Sequence, residues 1–248
     1  MIENLYLFLV VLAAFFVKGI TGFGSTLVLA PLFSFVVSSR FTTPVDLLTC
    51  IPTNAYLVWK NRKSINFRTV MPLSAMLLAG VVPGIMLLKT GNDLLLKSIL
   101  GVVIMALGIE MLYRKSEHLG SAKPNKLFLV TVGLVSGILA GMYGISAFLV
   151  AYISRTSEDR SQFRGNLCSL FLVDSIFRLI WYSTTGIMTM EVVRFTFFIS
   201  PAVALGMYIG TRVDTGLKEE TVRKVTIYLL IVSGAALLLR SMWSLYIN

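Results

Sequence analysis

Between Leu94 and Tyr113 the chain runs for twenty residues with two charges, Lys97 and Glu110, and from Val225 to Leu239 it carries none. Crossing a hydrocarbon core about 30 Å thick takes about 20 helical residues. Runs of this kind, recurring along 248 residues, leave few solutions. A soluble chain has about 25% charged residues, whereas this one has 14%, with 56% hydrophobic. A transmembrane barrel would show ten-residue alternation and aromatic girdles, and the runs are continuous instead. The expected fold is an all-α, multi-pass membrane protein embedded in a lipid bilayer.

The same residues remove whole classes of function. The single histidine, His118, lies in a polar stretch, and Cys50 and Cys168 stand alone in apolar segments. No CxxC, HExxH or haem signature forms, so no metal and no cofactor is expected. No P-loop is present, which argues against an ATP-driven pump, and no nucleophile with a base supports an enzyme. The net charge of +10 would suggest nucleic acid in a soluble protein. Here most of the Lys and Arg residues fall in short loops between spans and read as topology signals, so no nucleic-acid partner is expected. The start, Met1-Ile2-Glu3-Asn4, lacks a basic n-region, so the first segment is expected to stay in the protein.

Hydrophobic segments occupy roughly 5–37, 43–59, 70–88, 94–113, 127–153, 165–183, 195–211 and 225–243. The first would be about 50 Å long as one straight helix. It and the fifth are each interrupted by a glycine cluster, Gly19-Ile-Thr-Gly22-Phe-Gly24 and Gly137-Ile-Leu-Ala-Gly141-Met-Tyr-Gly144. A shift of 122 places Gly19 on Gly141, Gly22 on Gly144 and Trp59 on Trp181. A shift of 126 places Gly80 and Gly84 on Gly206 and Gly210, and Gly108 on Gly234. The chain thus reads as two four-segment transmembrane repeats, 1–115 and 126–248, joined by a polar linker, 116–125, within one membrane domain.

Loop charge fixes the parity. If all eight segments cross once, the two faces receive ten Lys and Arg each. If segments one and five turn back at their glycines, one face holds fifteen, in loops around Lys60–Arg68, Arg114–Lys126, Arg155–Arg164 and Arg212–Lys224. The other keeps five: Arg40, Lys89, Lys97, Arg194 and Arg240. The biased arrangement obeys the positive-inside rule. It makes segments one and five re-entrant, or pairs of short crossings, places both termini outside the cytoplasm and inverts the second repeat against the first. Inverted repeats with broken helices are the architecture of secondary transporters, which bind substrate near the midplane.

At each tip the first residues of the second half-helix, Gly22 to Ser25 and Gly144 to Ser146, would offer backbone amides and a positive dipole end, a setting that favours an anion. Gly19, Gly22, Gly24, Gly141 and Gly144 are candidates for that cradle; close helix packing is the competing role for each. Ionisable residues inside spans are functional candidates because burial costs so much. Lys18 precedes the first cluster, and Arg178 lies near mid-depth in segment six, with Asp174 one turn before it. Arg178 could hold an oxyanion through its guanidinium or pair with Asp174 at i, i+4. Asp174, taken as the one acid at mid-depth, is a candidate for proton coupling. Thr21, Ser25, Asn54, Tyr143, Ser146 and Asn166 could add neutral contacts, with Thr49, Thr53 and Ser169 nearby. Pro31 and Pro52 read as kinks.

The pattern Gly19-x-x-Gly22-Phe23-Gly24, followed by Pro31, with a second copy opening the C-terminal half of about 250 residues, resembles the TauE/SafE family of membrane permeases. The resemblance covers essentially the whole chain. It implies a transporter of small sulfur-containing anions, such as sulfite or organosulfonates, in the cell (inner) membrane. The second copy departs from the usual pattern at Ile145, Ser146, Ala147 and Ile153, and Lys18 has Ala140 as its counterpart, so any site is asymmetric. An anion channel of the same architecture and a non-catalytic membrane subunit are the alternatives. A proton or another ion could couple the transport.

Overall fold

A computed structural model describes residues 2–113, 126–213, 227–228, 231–236 and 238–239. The linker expected at 116–125 lies outside them, as does part of the segment expected over 225–243. Among the described residues the chain is helical and contains no strand. The helices are α1 (Ile2–Thr21), α2 (Ser25–Ser34), α3 (Ser39–Asn61), α4 (Phe67–Thr90), α5 (Asp93–Tyr113), α6 (Lys126–Tyr143), α7 (Ala147–Thr156), α8 (Arg160–Thr185) and α9 (Met190–Val213). A 3₁₀ turn, Arg62–Ser64, follows α3. Among the described residues three stretches are long and apolar enough to cross a membrane: Phe67–Thr90, Ser161–Thr185 and Met190–Arg212. Large apolar side chains lie exposed along them, including Met71 and Met86, Ile176 and Ile180, and Phe197 and Tyr208. In hydrocarbon such a face carries no penalty, because lipid tails are as apolar as leucine.

Both overlong segments break at their glycine clusters. The first gives 20 residues of α1 and then 10 of α2; the fifth gives 18 of α6 and 10 of α7. At 1.5 Å per residue the second pieces are about 15 Å long. In the first segment the chain reverses. The Tyr6 hydroxyl donates to the Leu32 carbonyl at 3.1 Å, whereas 26 residues of straight helix would hold those residues about 39 Å apart.

The chain divides into two compact units. Unit 1 comprises Met1–Asp46, Gly91–Lys115 and Met190–Asn248, and unit 2 comprises Leu47–Thr90 and Ser116–Thr189. In unit 1, α1 packs on α9 and α2 packs on α1 and α5. A Cβ at Gly210 would strike the Phe16 carbonyl, one at Gly206 the Leu12 carbonyl, and one at Gly19 the Gly210 backbone. Helix α3 starts at Ser39, before its apolar run, because the Asp93 carboxylate accepts the Ser39 amide at 2.9 Å and Arg40 donates to the Gly91 carbonyl at 2.7 Å.

In unit 2, α4 packs on α6 and α8. A Cβ at Gly80 would strike the Leu134 carbonyl, one at Gly84 the Ile138 carbonyl, and one at Gly141 the Val81 carbonyl. Leu12 and Leu134, Phe16 and Ile138, and Gly19 and Gly141 are each 122 residues apart; Gly80 and Gly206, and Gly84 and Gly210, are 126 apart. The two backbone-to-backbone interfaces therefore use corresponding residues. Unit 2 also joins two basic loops. The Asn66 amide donates to Asn166 Oδ1 at 2.7 Å, Ser161 donates to Asn61 Oδ1 at 3.2 Å, and Ser64 and Ser161 share a hydrogen bond at 3.0 Å. The loops around residues 61–66 and 157–161 thus sit at one end of unit 2. There Asp159 caps α8 by accepting the Gln162 amide at 2.7 Å.

Candidate functional site

The elbow of unit 1 forms because a helix ends where glycine can turn left-handed. Gly22 has φ 86° and Gly24 φ 89°, a region open to glycine and costly for other residues. The Gly22 amide still donates to the Lys18 carbonyl at 2.8 Å, which closes α1. Gly144 does the same for α6, with φ 75° and a 2.8 Å bond to the Ala140 carbonyl. Gly22, Gly24 and Gly144 therefore shape the turns. Gly19 and Gly141 lie one turn earlier and serve the close helix contacts instead.

Around the first elbow the Lys18 side chain is 2% exposed, with Nζ 5.6 Å from the Phe15 ring centre. Thr21 Oγ1 lies 2.9 Å from the Val17 carbonyl and 2.6 Å from that of Phe23, so its hydroxyl serves the turn. Helix α2 begins at Ser25, itself buried, with Gly24 at its N-cap and no side-chain cap. The Thr26 hydroxyl donates to Asp46 Oδ2 at 2.7 Å. Asp46, 1% exposed, is a second buried acid besides Asp174, one that the sequence did not single out. It was missed because α3 starts four residues before its apolar run, which moves Asp46 from the apparent rim into the helix body.

Around the second elbow, Tyr143 and Ser146 are buried, and Ser146 sits at the N-cap of α7 without making a capping bond. Helix α8 brings Asp174, Arg178 and Tyr182 onto one face through their i, i+4, i+8 spacing. Arg178 donates to Asp174 Oδ2 from Nε at 2.9 Å and from Nη2 at 2.8 Å. It also interacts with the Tyr182 hydroxyl, which donates to the Gly141 carbonyl at 2.8 Å. Tyr182, fully buried and unmarked in the sequence, thus ties the guanidinium of α8 to the last turn of α6. The signal that could have found it is the same four-residue step that links Asp174 to Arg178.

Both readings of Arg178 have a place in this geometry. It is ion-paired, yet both bonds to Asp174 converge on one carboxylate oxygen. Arg178 Nη1 and Asp174 Oδ1 are buried without a hydrogen-bond partner among the described residues, as is Asn54 Oδ1 on α3. A guanidinium always carries its charge and its donors, so Nη1 is a buried donor for which the described residues supply no acceptor. Asn166, by contrast, spends its side-chain oxygen on the Asn66 amide at the loop end of the unit. The structure places Lys18, Thr21, Gly22, Gly24 and Ser25 in unit 1, and Asn54, Gly141, Tyr143, Gly144, Ser146, Asn166, Asp174 and Arg178 in unit 2.

Apolar helices broken at glycine elbows, with large apolar side chains exposed along them and Lys18, Asp46, Asp174 and Arg178 buried, describe a membrane protein. Comparison with curated proteins and with solved structures returned no match. A family model does match, that of the sulfite exporter TauE/SafE, over residues 7–237 and so over nearly the whole chain. The chain belongs to the TauE/SafE sulfite exporter family of membrane transporters.

Proposed function

We propose that this protein is a permease that moves small sulfur-containing anions, sulfite or organosulfonates, across the cell membrane by alternating access, with the anion held on Arg178. The observation that carries this reading is the buried, unpartnered Nη1 of Arg178. Asp174 and Tyr182 restrain the other side of the guanidinium, so the free edge is oriented before the solute arrives, which lowers the ordering cost of binding. A sulfonate or sulfite oxygen accepts from such an edge through charge-assisted hydrogen bonds. The amides at the N-terminus of α7 and the Asn54 side chain complete the proposed environment.

The proposed topology is two inverted four-segment repeats with both termini outside the cytoplasm. Three observations support it. Tyr6 bonding to Leu32 makes the first broken segment a hairpin. The matching glycine contacts of α1 with α9 and of α6 with α4 follow the repeat spacing. The loops near residues 61–66 and 157–161 meet, as they would if the fifth segment turned back rather than crossed.

The test is a thermal-shift titration of the purified protein with sulfite, sulfate, taurine and sulfoacetate, alongside Arg178→Gln. A ligand bound by the native state alone raises apparent stability. The expected result is a shift with one or more of these anions that Arg178→Gln abolishes while remaining a discrete, folded species. An undiminished shift in Arg178→Gln would remove Arg178 from the site, and counterflow in liposomes would separate carrier from channel.

A further inference from the structure

Asp174 and Arg178 lie one turn apart on α8 and are nearly sealed, at 2% and 3% exposure. Arg178 Nε and Nη2 both donate to Asp174 Oδ2, at 2.9 and 2.8 Å. Each group is thus left with one buried atom that has no hydrogen-bond partner among the described residues, Nη1 on the guanidinium and Oδ1 on the carboxylate. The two atoms differ in kind, since Nη1 can only donate and Oδ1 of an ionised carboxylate can only accept. The 2.8 Å bond joins their parent groups, and each planar group spans about 2.2 Å, so the two atoms are no more than about 7 Å apart. One small solute can therefore reach both.

A plain sulfonate supplies acceptors alone. Placed on Nη1 it satisfies the guanidinium, but it offers nothing to Asp174 Oδ1. Asn54 Oδ1, in the same unit, is a further buried acceptor without a partner among the described residues. Of these three orphaned atoms an acceptor-only solute can meet one. A solute that also carries a polar hydrogen can meet an acceptor as well, and a hydrogen bond to an ionised acceptor is stronger than one between neutral groups.

We infer that the Asp174–Arg178 pair selects solutes that carry a hydrogen-bond donor as well as an anionic group. The sulfonate accepts from Arg178 Nη1, and a hydroxyl or ammonium on the same short carbon chain donates to Asp174 Oδ1. The proposal rests on the transport reading above and deepens it by naming the substrate class. Asp174 is then a specificity-determining residue with two duties, orienting the guanidinium through Oδ2 and reading the solute through Oδ1. Hydroxysulfonates, aminosulfonates and hydrogensulfite carry the required hydrogen, whereas sulfate and plain alkylsulfonates do not. Both residues belong to one helix of unit 2, so the pair is complete within that unit.

The experiment is calorimetric binding of a matched series of sulfonates to the full chain in lipid nanodiscs at neutral pH. Ethanesulfonate has no donor, isethionate adds a hydroxyl to the same chain, and taurine adds an ammonium. Isethionate, taurine or both are expected to bind about tenfold more tightly than ethanesulfonate, the worth of one hydrogen bond to a charged group. In Asp174→Asn the amide oxygen can still accept from Arg178, while the NH2 puts a donor where Oδ1 was an acceptor. The preference is therefore expected to vanish or reverse, with ethanesulfonate bound at least as tightly as isethionate. Equal affinities across the series in the native protein, or a preference of undiminished size in Asp174→Asn, overturn the proposal. If Asp174→Asn does not fold, the native series decides by itself. A preference for one donor and not the other supports the proposal and identifies the donor. Absence of binding by all three sulfonates and by sulfite overturns the transport reading and this inference together. Binding of sulfite alone, or of all three sulfonates at one affinity, overturns the inference alone.

Discussion

The Asp174–Arg178 pair offers a sharp energetic test, because both side chains are nearly sealed, at 3% and 4% exposure, and meet at 2.8 Å. With charge centres about 4 Å apart and an effective dielectric of about 20, their attraction is about 4 kcal/mol. Desolvation of two ions offsets most of that, so the pair as a whole adds little to stability. Removing one partner is different, since the survivor keeps its desolvation cost and loses its compensation. Asp174→Leu should therefore cost about 3–5 kcal/mol and Arg178→Met a similar amount, while the double variant should return to within about 1 kcal/mol of the native protein. Reversible unfolding in mixed micelles, followed by helical circular dichroism, would measure all four states of the cycle. Single variants that each cost under about 1 kcal/mol, or a double variant as unstable as the two singles summed, would refute the sealed, compensated pair.

Other substitutions test the backbone. Gly84→Ala and Gly210→Ala should each destabilise by about 1–3 kcal/mol, because their new methyl groups meet main-chain carbonyls of Ile138 and Phe16 that have no rotamer to yield; unfolding midpoints close to the native value would contradict that packing. Gly186 caps α8 at φ 76° with open space where a Cβ would go. Gly186→Ala should therefore cost about 1 kcal/mol from backbone strain alone, and Gly186→Asn less, since Asn tolerates the left-handed region. Tyr182→Phe removes the donor to the Gly141 carbonyl and should cost about 1–2 kcal/mol of stability. Because it also loosens Arg178, it should weaken sulfite binding more than Tyr152→Phe does.

What the sequence made legible was whatever depends on composition or on a residue with one conformational excuse. Helical membrane character follows from run length. Gly22, Gly24 and Gly144 could be named as turn candidates because they interrupt overlong apolar runs, with packing as the rival role, and each has positive φ. The division between turning and packing was not legible, since Gly19 and Gly141 look the same in sequence yet face the backbones of Gly210 and Val81. Asp46 was hidden for a related reason. Its depth depends on where α3 starts, and that start is set by Asp93, 54 residues further along. Tyr182 is an ordinary aromatic in an apolar helix until its hydroxyl is seen against the Gly141 carbonyl.

The framework repeats where the chemistry does not. Glycine contacts between α1 and α9 recur between α6 and α4 at corresponding positions, but none of the four buried charges among the described residues has a charged counterpart. At the shift of 122, Lys18 falls on Ala140, Asp46 on Cys168, Asp174 on Pro52 and Arg178 on Tyr56. Close backbone packing is needed in both elbows, since each must hold a broken helix without lipid reaching its open amides. A small anion needs one set of donors, and a second buried guanidinium would require a second acid to balance it. The scaffold is thus duplicated, while among the described residues each buried charge occurs once.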